Sequence, residues 1–424
     1  MAKDNTDTRP RLPWAGKQVS LEQVESELTF LWHMAADNMR ISQNINVRTS
    51  VLNLIICAFD TETARKASAL LREVASTHIG RVTILIFDTN SSTSNAVTSW
   101  VTLRSFPIIS DIMRHHFEQI TVQATGSAIR SAANIVQPLL KPDLPVYLWW
   151  LGDPPDDETI FHNLINISNR IIVDSSTFFK PEEGISKLST ILQASPNSAL
   201  SDLNWARVTP WRELIAQFFD ASDYRPYLQG VDEIEIEHAV NPSSRPTLTA
   251  QGDTTPNPTR ALLLAAWLKT RLSWKLTANE SYADHDAITG THTWQMTRII
   301  SPLTTRMLGV GTGRSGKLGS LTEGKRISSI SIRPRVQSDL RPGTICLVRL
   351  TSTLDTKQAT FTINREDSDH VLTTVELEQE ALPPRTVYIP TSRNQSTLLS
   401  DELEIMGHDH LYEETLHEVF SLLA

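Results

Sequence analysis

Residues 51–88 read VLNLIICAFD, TETARKASALLREVAST, HIG and RVTILIFD, and the change of period inside them decides the fold. VLNLIICAF, apolar apart from Asn53 and of strand length, has the pattern of a strand buried on both faces. TETARKASALLREVAST spaces its apolar residues at three and four, as a helix with one covered face does, and RVTILIFD is a second buried strand. The three pieces form a βαβ unit.

The same alternation continues outward. Strand patterns recur near residues 96–103 and 118–123, in PVYLWW (145–150) and in RIIVD (170–174), with helices over 127–136 and 158–166 between them. Strands alternating with helices predict an α/β domain with a largely parallel sheet, covering residues 19–196. Upstream, Ser20 and Gln23 stand in capping-box spacing, and Leu21, Val24, Leu28, Leu31 and Trp32 form one apolar stripe. Residues 1–18 are polar, carry Pro10 and Pro13, and read as a disordered arm.

Downstream, ASPNSALSD (194–202) supplies turn formers and marks a boundary. Residues 203–424 read as an α+β C-terminal domain: a helix over 259–276, several strands between 292 and 389, and a helical C-terminus. Pro242, Pro246, Pro256 and Pro258 stud a polar stretch, 241–258, expected to be a mobile loop. In 202–220, Thr209 and Pro210 read as the cap and first turn of a helix whose stripe is Trp211, Leu214, Ile215, Phe218 and Phe219.

The 424 residues are 40% hydrophobic and 21% charged with a net charge of -9, an ordinary globular composition that does not suit a nucleic-acid binder. Cys57 and Cys346 are the two cysteines, too few for a disulfide scaffold or a thiolate zinc site. The start has no apolar leader, and the longest apolar run, Ala261–Leu268, is far below the ~20 residues of a membrane span. A cytoplasmic protein that binds neither membrane nor nucleic acid is expected.

Chemical motifs are scarce. GVGTGRSGKLG (309–319) satisfies the dinucleotide fingerprint with Gly311, Gly313 and Gly316 and nearly satisfies the phosphate loop, but Leu318 stands where a magnesium-binding hydroxyl belongs and no helix pattern follows. His408, Asp409, His410 and His417 cluster without metal-ligand spacing, and no nucleophile elbow occurs. No cofactor, metal or catalytic set is therefore expected. The stretch from Arg298 to Arg349 carries a net +8, leaving -17 on the rest, and such polarity can steer an oppositely charged partner. Within it Arg333 and Arg335 flank Pro334, which suggests an exposed edge, while Trp149, Trp150 and Asp153 end a strand where partners of open sheets gather. These five residues are the candidate partner-binding set.

VSLEQVESELTFLWH (19–33), LPVYLWWLGDPP (144–155), RIIVDSSTF (170–178) and DLNWARVTPWRELIAQFFD (202–220) resemble, in order, the glucose-6-phosphate dehydrogenase assembly protein family, OpcA, most of all its cyanobacterial members. The resemblance implies a non-enzymatic, allosteric activator that binds glucose-6-phosphate dehydrogenase at the entry to the oxidative pentose phosphate pathway. It also implies thiol-based redox control. Here no cysteine follows Cys346, and Cys57 and Cys346 both fall in apolar strand patterns. An enzyme acting on a phosphorylated small molecule, or a passive scaffold, are the other readings that the sequence leaves open.

Overall fold

A computed structural model describes residues 12–42, 45–47, 50–74, 80–89, 95–109, 113–156, 158–241, 257–277, 284–286, 290–300, 324–378, 380–390, 393–405 and 407–423. They form two compact units. The first comprises Met1–Val173, Ser195–Ser201 and Gln395–His408, the second Asp174–Ala194, Asp202–Asn394 and Asp409–Ala424.

The sheet of the first unit is built from β1 (Lys17–Val19), β2 (Ile45–Val47), β3 (Leu52–Ala58), β4 (Gly80–Asp88), β5 (Val97–Ile109), β6 (Met113–Thr125), β7 (Val146–Trp150), β8 (Arg170–Val173) and β9 (Ala199–Asp202). Their order is β1-β5-β6-β4-β3-β7-β8-β9, with β2 on β6. Steps β6-β4, β4-β3, β3-β7 and β7-β8 are parallel, whereas β5 runs antiparallel to β6 and β1 antiparallel to β5. All seven residues of β3 are buried, as its mostly apolar run requires of a strand covered on both faces, and the one polar member, Asn53, bonds the Lys141 backbone through its side chain. The helix Thr61–Val74 turns Ala64, Ala67, Ser68, Leu71 and Val74 inward at helical spacing, and the Asp60 carboxylate accepts from the Thr63 N–H (2.8 Å) at its start.

The helix Val24–Ser42 is held to this sheet by charge. Arg81, 5% exposed, donates to the Glu118 carboxylate (2.8 Å) and the Leu139 carbonyl (2.8 Å) and pairs with Glu25 on the helix, while Trp32 Nε1 donates to Glu118 (2.7 Å). Burial opposes ionisation of Glu118, but Arg81, Trp32 and Lys141 together hold its carboxyl below the ordinary value.

The sequence reading needs two corrections here. The arm read as disordered over 1–18 contributes structure from its described part: Ala15 is fully buried and Lys17–Val19 pairs with Ser99–Val101, because Val101 and Ser99 offer an open strand edge. Ala199–Asp202, read as turn, is strand β9, its four residues all buried. The loop over 241–258 and the 309–319 motif lie, apart from Asn241, Asn257 and Pro258, outside the described residues.

The second unit carries a mixed sheet of β10 (Val231–Val240), β11 (Lys275–Leu276), β12 (Asp284–Asp286), β13 (Thr291–Ile300), β14 (Gly324–Val336), β15 (Ile345–Leu354), β16 (Lys357–Arg365), β17 (His370–Leu377), β18 (Glu380–Ala381) and β19 (Arg385–Tyr388). The order is β11-β13-β14-β10-β15-β16-β17-β18, with β12 on β13 and β19 on β17. Period-2 alternation separates the two faces. Ile234, Ile236, Ile330, Ile332, Val348, Phe361 and Ile363 are fully buried on one face, where the Thr259–Arg271 helix packs. The alternate residues form the other.

Candidate partner-binding face

The outward face follows from register. One cross-strand row runs Thr293, Ser331, Glu235, Arg349, Thr362, Thr374; the next toward the C-terminal end of β10 holds Arg333, Glu237, Leu347, Asn364 and Leu372; the next in the opposite direction holds Gln295, Ser329, Glu233, Thr351, Thr360 and Glu376. Most are half-buried, the exposure of side chains standing on a sheet with no cover. Among the described residues, the helices of this unit that contact the sheet do so through its other, fully buried face.

Charges on this face are paired within it. The Glu235 carboxylate is bridged by Arg333 and Arg349, each at 2.7 Å, and Arg335 reaches Glu237 (3.4 Å) and Asn364 (3.1 Å). Arg333 remains 50% exposed and Arg349 44%. The expectation of a free basic field over 298–349 is thereby corrected for Arg333, Arg335 and Arg349, because β10 lays Glu235 and Glu237 beside them as adjacent strands in a parallel-antiparallel sandwich of β14, β10 and β15. Arg326 likewise pairs with Asp232. Glu233 is exposed and forms no ion pair with another described residue. Pro334 sits where β14 runs past the last β13 pairing, His292 with Ile332, so its missing N–H falls on an unpaired edge.

The other candidates lie in the first unit, and burial changes their meaning. Trp149 and Trp150 are 0% and 1% exposed, so neither forms the lip of a crevice. The correction has a physical reason: Trp150 is the centre of an aromatic cluster with Phe161 (4.5 Å between centroids), Phe59 (5.3 Å) and Phe87 (6.1 Å). Its Nε1 donates to the Asp153 carbonyl at 3.0 Å, which draws the Gly152–Asp153 turn over the indole. Asp153 is half-buried. This cluster stands at the carboxyl ends of β3, β4 and β7, where strand order reverses and open α/β sheets hold their ligands. Rings occupy that place. The turn at Gly126–Ser127 is closed by a side chain, the Ser127 N–H donating to the Asn95 side-chain oxygen at 2.8 Å.

A buried polar cluster in the second unit went unread in the sequence. Arg207 pairs with Asp174 through both guanidinium nitrogens (2.7 and 2.9 Å), Asp202 caps the Leu203–Phe218 helix by accepting from the Asn204 N–H (2.8 Å), and Asn257 donates to the Ser175 carbonyl (3.0 Å) while accepting from the Thr259 N–H (3.0 Å). Arg260 donates to Asn204 at 2.9 Å. Three helical starts are thus tied together by side chains. The signal was present, as Asp–Ser at 174–175 and Asp–Leu–Asn at 202–204 are cap spellings. The helix it starts begins at Leu203, not near Thr209, and Pro210 lies inside it, since the Asp202 cap outcompetes the later one.

The family model described as glucose-6-phosphate dehydrogenase subunit N-terminal domain matches residues 71–190, and the one described as the C-terminal domain of that subunit matches 198–416. The chain belongs to the OpcA family. A Synechocystis sp. protein named OxPP cycle protein OpcA is 26% identical over 310 residues, 72% of this chain and 56% of its own. An OpcA of Nostoc punctiforme is 31% identical over 175 residues, 41% of this chain and 34% of its own. The chain thus matches about half or less of the length of these OpcA relatives. An NAD-binding oxidoreductase from Klebsiella pneumoniae superposes with a TM-score of 0.42 at 11% identity, over 88% of this chain and 96% of that one, a likeness too loose to carry an argument. Among the described residues no helix is long and apolar enough to cross a membrane, and no group of three His, Cys, Asp or Glu is placed to hold a metal ion.

Proposed function

We propose that this OpcA family member is a non-catalytic allosteric activator and assembly factor that binds glucose-6-phosphate dehydrogenase and promotes its active state in the oxidative pentose phosphate pathway. The observation that carries the reading is the pair of family models named for that dehydrogenase, which together span most of the chain. The aromatic cluster around Trp150 supports the non-catalytic part, since Phe59, Phe87 and Phe161 fill the position that a nucleotide takes in an open α/β sheet. Of the strand-end group, Asp153 is the member that reaches solvent, which supports it as the dehydrogenase contact on that unit.

An activator works by binding the active conformation of the enzyme more tightly than the inactive one, so substrate must in turn tighten activator binding by the same factor. The test adds the purified chain to the cognate dehydrogenase and records the mass of the complex and the glucose 6-phosphate saturation curve. A shared peak with a lowered half-saturation supports the reading. Turnover of glucose 6-phosphate by the chain alone, or co-elution with an unchanged curve, overturns it in favour of an enzyme or a scaffold.

A further inference from the structure

The outward sheet face of the second unit is wide and uncovered by any described element, and its charges have an order. Along the strands it is polar in the electrical sense: Glu233 and Glu376, both exposed, lie at one end, Glu235 bridged by Arg349 and Arg333 at the middle, and Arg335 paired with Glu237 at the other, so that beyond the acidic end the three guanidinium groups outnumber the two carboxylates by one. One end is net negative and the other net positive. We propose that this face packs against the same face of a second copy of the chain, forming a two-fold dimer.

A two-fold interface brings one patch against itself, so it needs a surface that is its own complement. An axis running across the strands through the Glu235–Arg349 row inverts the ends and carries Glu233 of one copy toward the Arg333–Arg335 end of the other. An axis along the strands would instead set the acidic ends on each other. The face therefore selects one relative orientation. Its internal ion pairs also make it a poor match for a strongly charged partner, because such a partner would have to displace Glu235 from two guanidinium groups.

Size agrees. The six strands β13, β14, β10, β15, β16 and β17, at about 4.8 Å each, give a width of about 29 Å, and the eight steps from Ile327 to Arg335 at about 3.3 Å each give about 26 Å. That area, about 750 Å² on each copy, is close to the ~800 Å² per partner of a stable interface. Stacked sheets approach to about 10 Å, and the half-buried side chains of this face, Thr351, Thr360, Thr362 and Thr374 among them, are short enough to meet at that distance. Ile327, 71% exposed on the same face, is an apolar contact at its rim.

The test uses the full chain without any dehydrogenase, so its result is independent of the assembly reading. Its mass is measured by light scattering across about 1–100 μM, a range that captures a micromolar dissociation constant. Twice the chain mass is expected. Thr362→Arg, in the central row of the face and on the proposed axis, and separately Thr374→Arg should return the protein to chain mass with an unchanged melting temperature. Arg333→Glu should weaken the dimer at least tenfold, and Glu233→Arg added to it should recover most of the loss. A wild type that stays at chain mass throughout, or a dimer that survives in folded Thr362→Arg, overturns the proposal. Monomeric wild type whose Thr362→Arg variant loses the dehydrogenase also overturns it, and gives the face to that enzyme.

Discussion

Ser175 donates both its backbone N–H, at 3.0 Å, and its hydroxyl, at 2.5 Å, to the carboxylate of Asp202. Those bonds stabilise a charge that its surroundings resist: burial, and then the nearby charge of Asp174, push the Asp202 carboxyl up to about 6. Asp174, although buried, is held below its ordinary value by Arg207. The two carboxylates are driven apart.

A pH dependence follows from Asp202. Its folded-state value lies above the ordinary 3.8, so the native state binds the proton more tightly than the unfolded chain. Stability from this group is complete below about 3.8 and is lost as pH rises through about 6. Asp202→Asn keeps an acceptor for Ser175 and Asn204 but does not titrate. Melting temperatures measured from pH 4 to 8 should fall less steeply between 4 and 7 in the variant than in the wild type; parallel curves would show that Asp202 does not set the slope.

Both thiols should be inert. Cys57 and Cys346 are each 0% exposed, and burial pushes Cys57 well up and Cys346 to about 11. Ellman's reagent should label neither within the native lifetime and both in denaturant. Cys57→Ser should cost about 1–3 kcal/mol by burying a hydroxyl with no partner, whereas Cys346→Ser can donate to the Thr344 carbonyl that now receives the thiol at 3.5 Å and should cost less. Fast labelling of either thiol in the folded chain contradicts this.

The tryptophan pair separates packing from hydrogen bonding. Trp149 Nε1 is buried without a partner in the described structure, while Trp150 Nε1 holds the Asp153 carbonyl. Trp149→Phe should therefore be better tolerated than Trp150→Phe, and Trp150→Ala should cost about 3–5 kcal/mol through the cavity it leaves among Phe59, Phe87 and Phe161. Chemical denaturation of the three variants gives the ranking. Equal losses for the two Phe variants would remove the Asp153 bond from the account.

Arg333 and Arg335 distinguish pairing from steering. Arg333→Ala should change stability by about 1 kcal/mol or less, as half-exposed pairs do, but Arg333→Glu sets a carboxylate beside Glu235 and should lower the melting temperature further. Glu235→Gln in the same chain should restore part of it. If reversal leaves the melting point unmoved, the Glu235 bridge is not formed in solution.

How much of this was legible depends on range. The βαβ period of residues 51–88 is local, so it was readable, and with it the parallel order around β3. The strand at Ala199–Asp202 is four residues of Ala, Leu, Ser and Asp, a spelling shared with turns, and only its neighbour in the sheet makes it a strand. Phe59, Phe87, Trp150 and Phe161 are spread over a hundred residues and meet only once the strand order is known. The partners of Arg333 and Arg335 were in view all along, since VDEIEIEHAV (231–240) alternates Glu with apolar residues as a half-exposed strand does. What the sequence withheld was that this strand lies next to β14.

The first unit borrows its Gln395–Glu404 helix from near the far end of the chain, packs it on Thr61–Val74, and bonds Ser396 to Glu73. During synthesis that piece leaves the ribosome more than three hundred residues after the helix it covers. At about 5–20 residues per second this is an interval of the order of tens of seconds. Through it the nascent sheet waits with one flank of Thr61–Val74 bare, and a stop codon anywhere before residue 395 yields not a shortened protein with one good half but a chain in which neither half is whole.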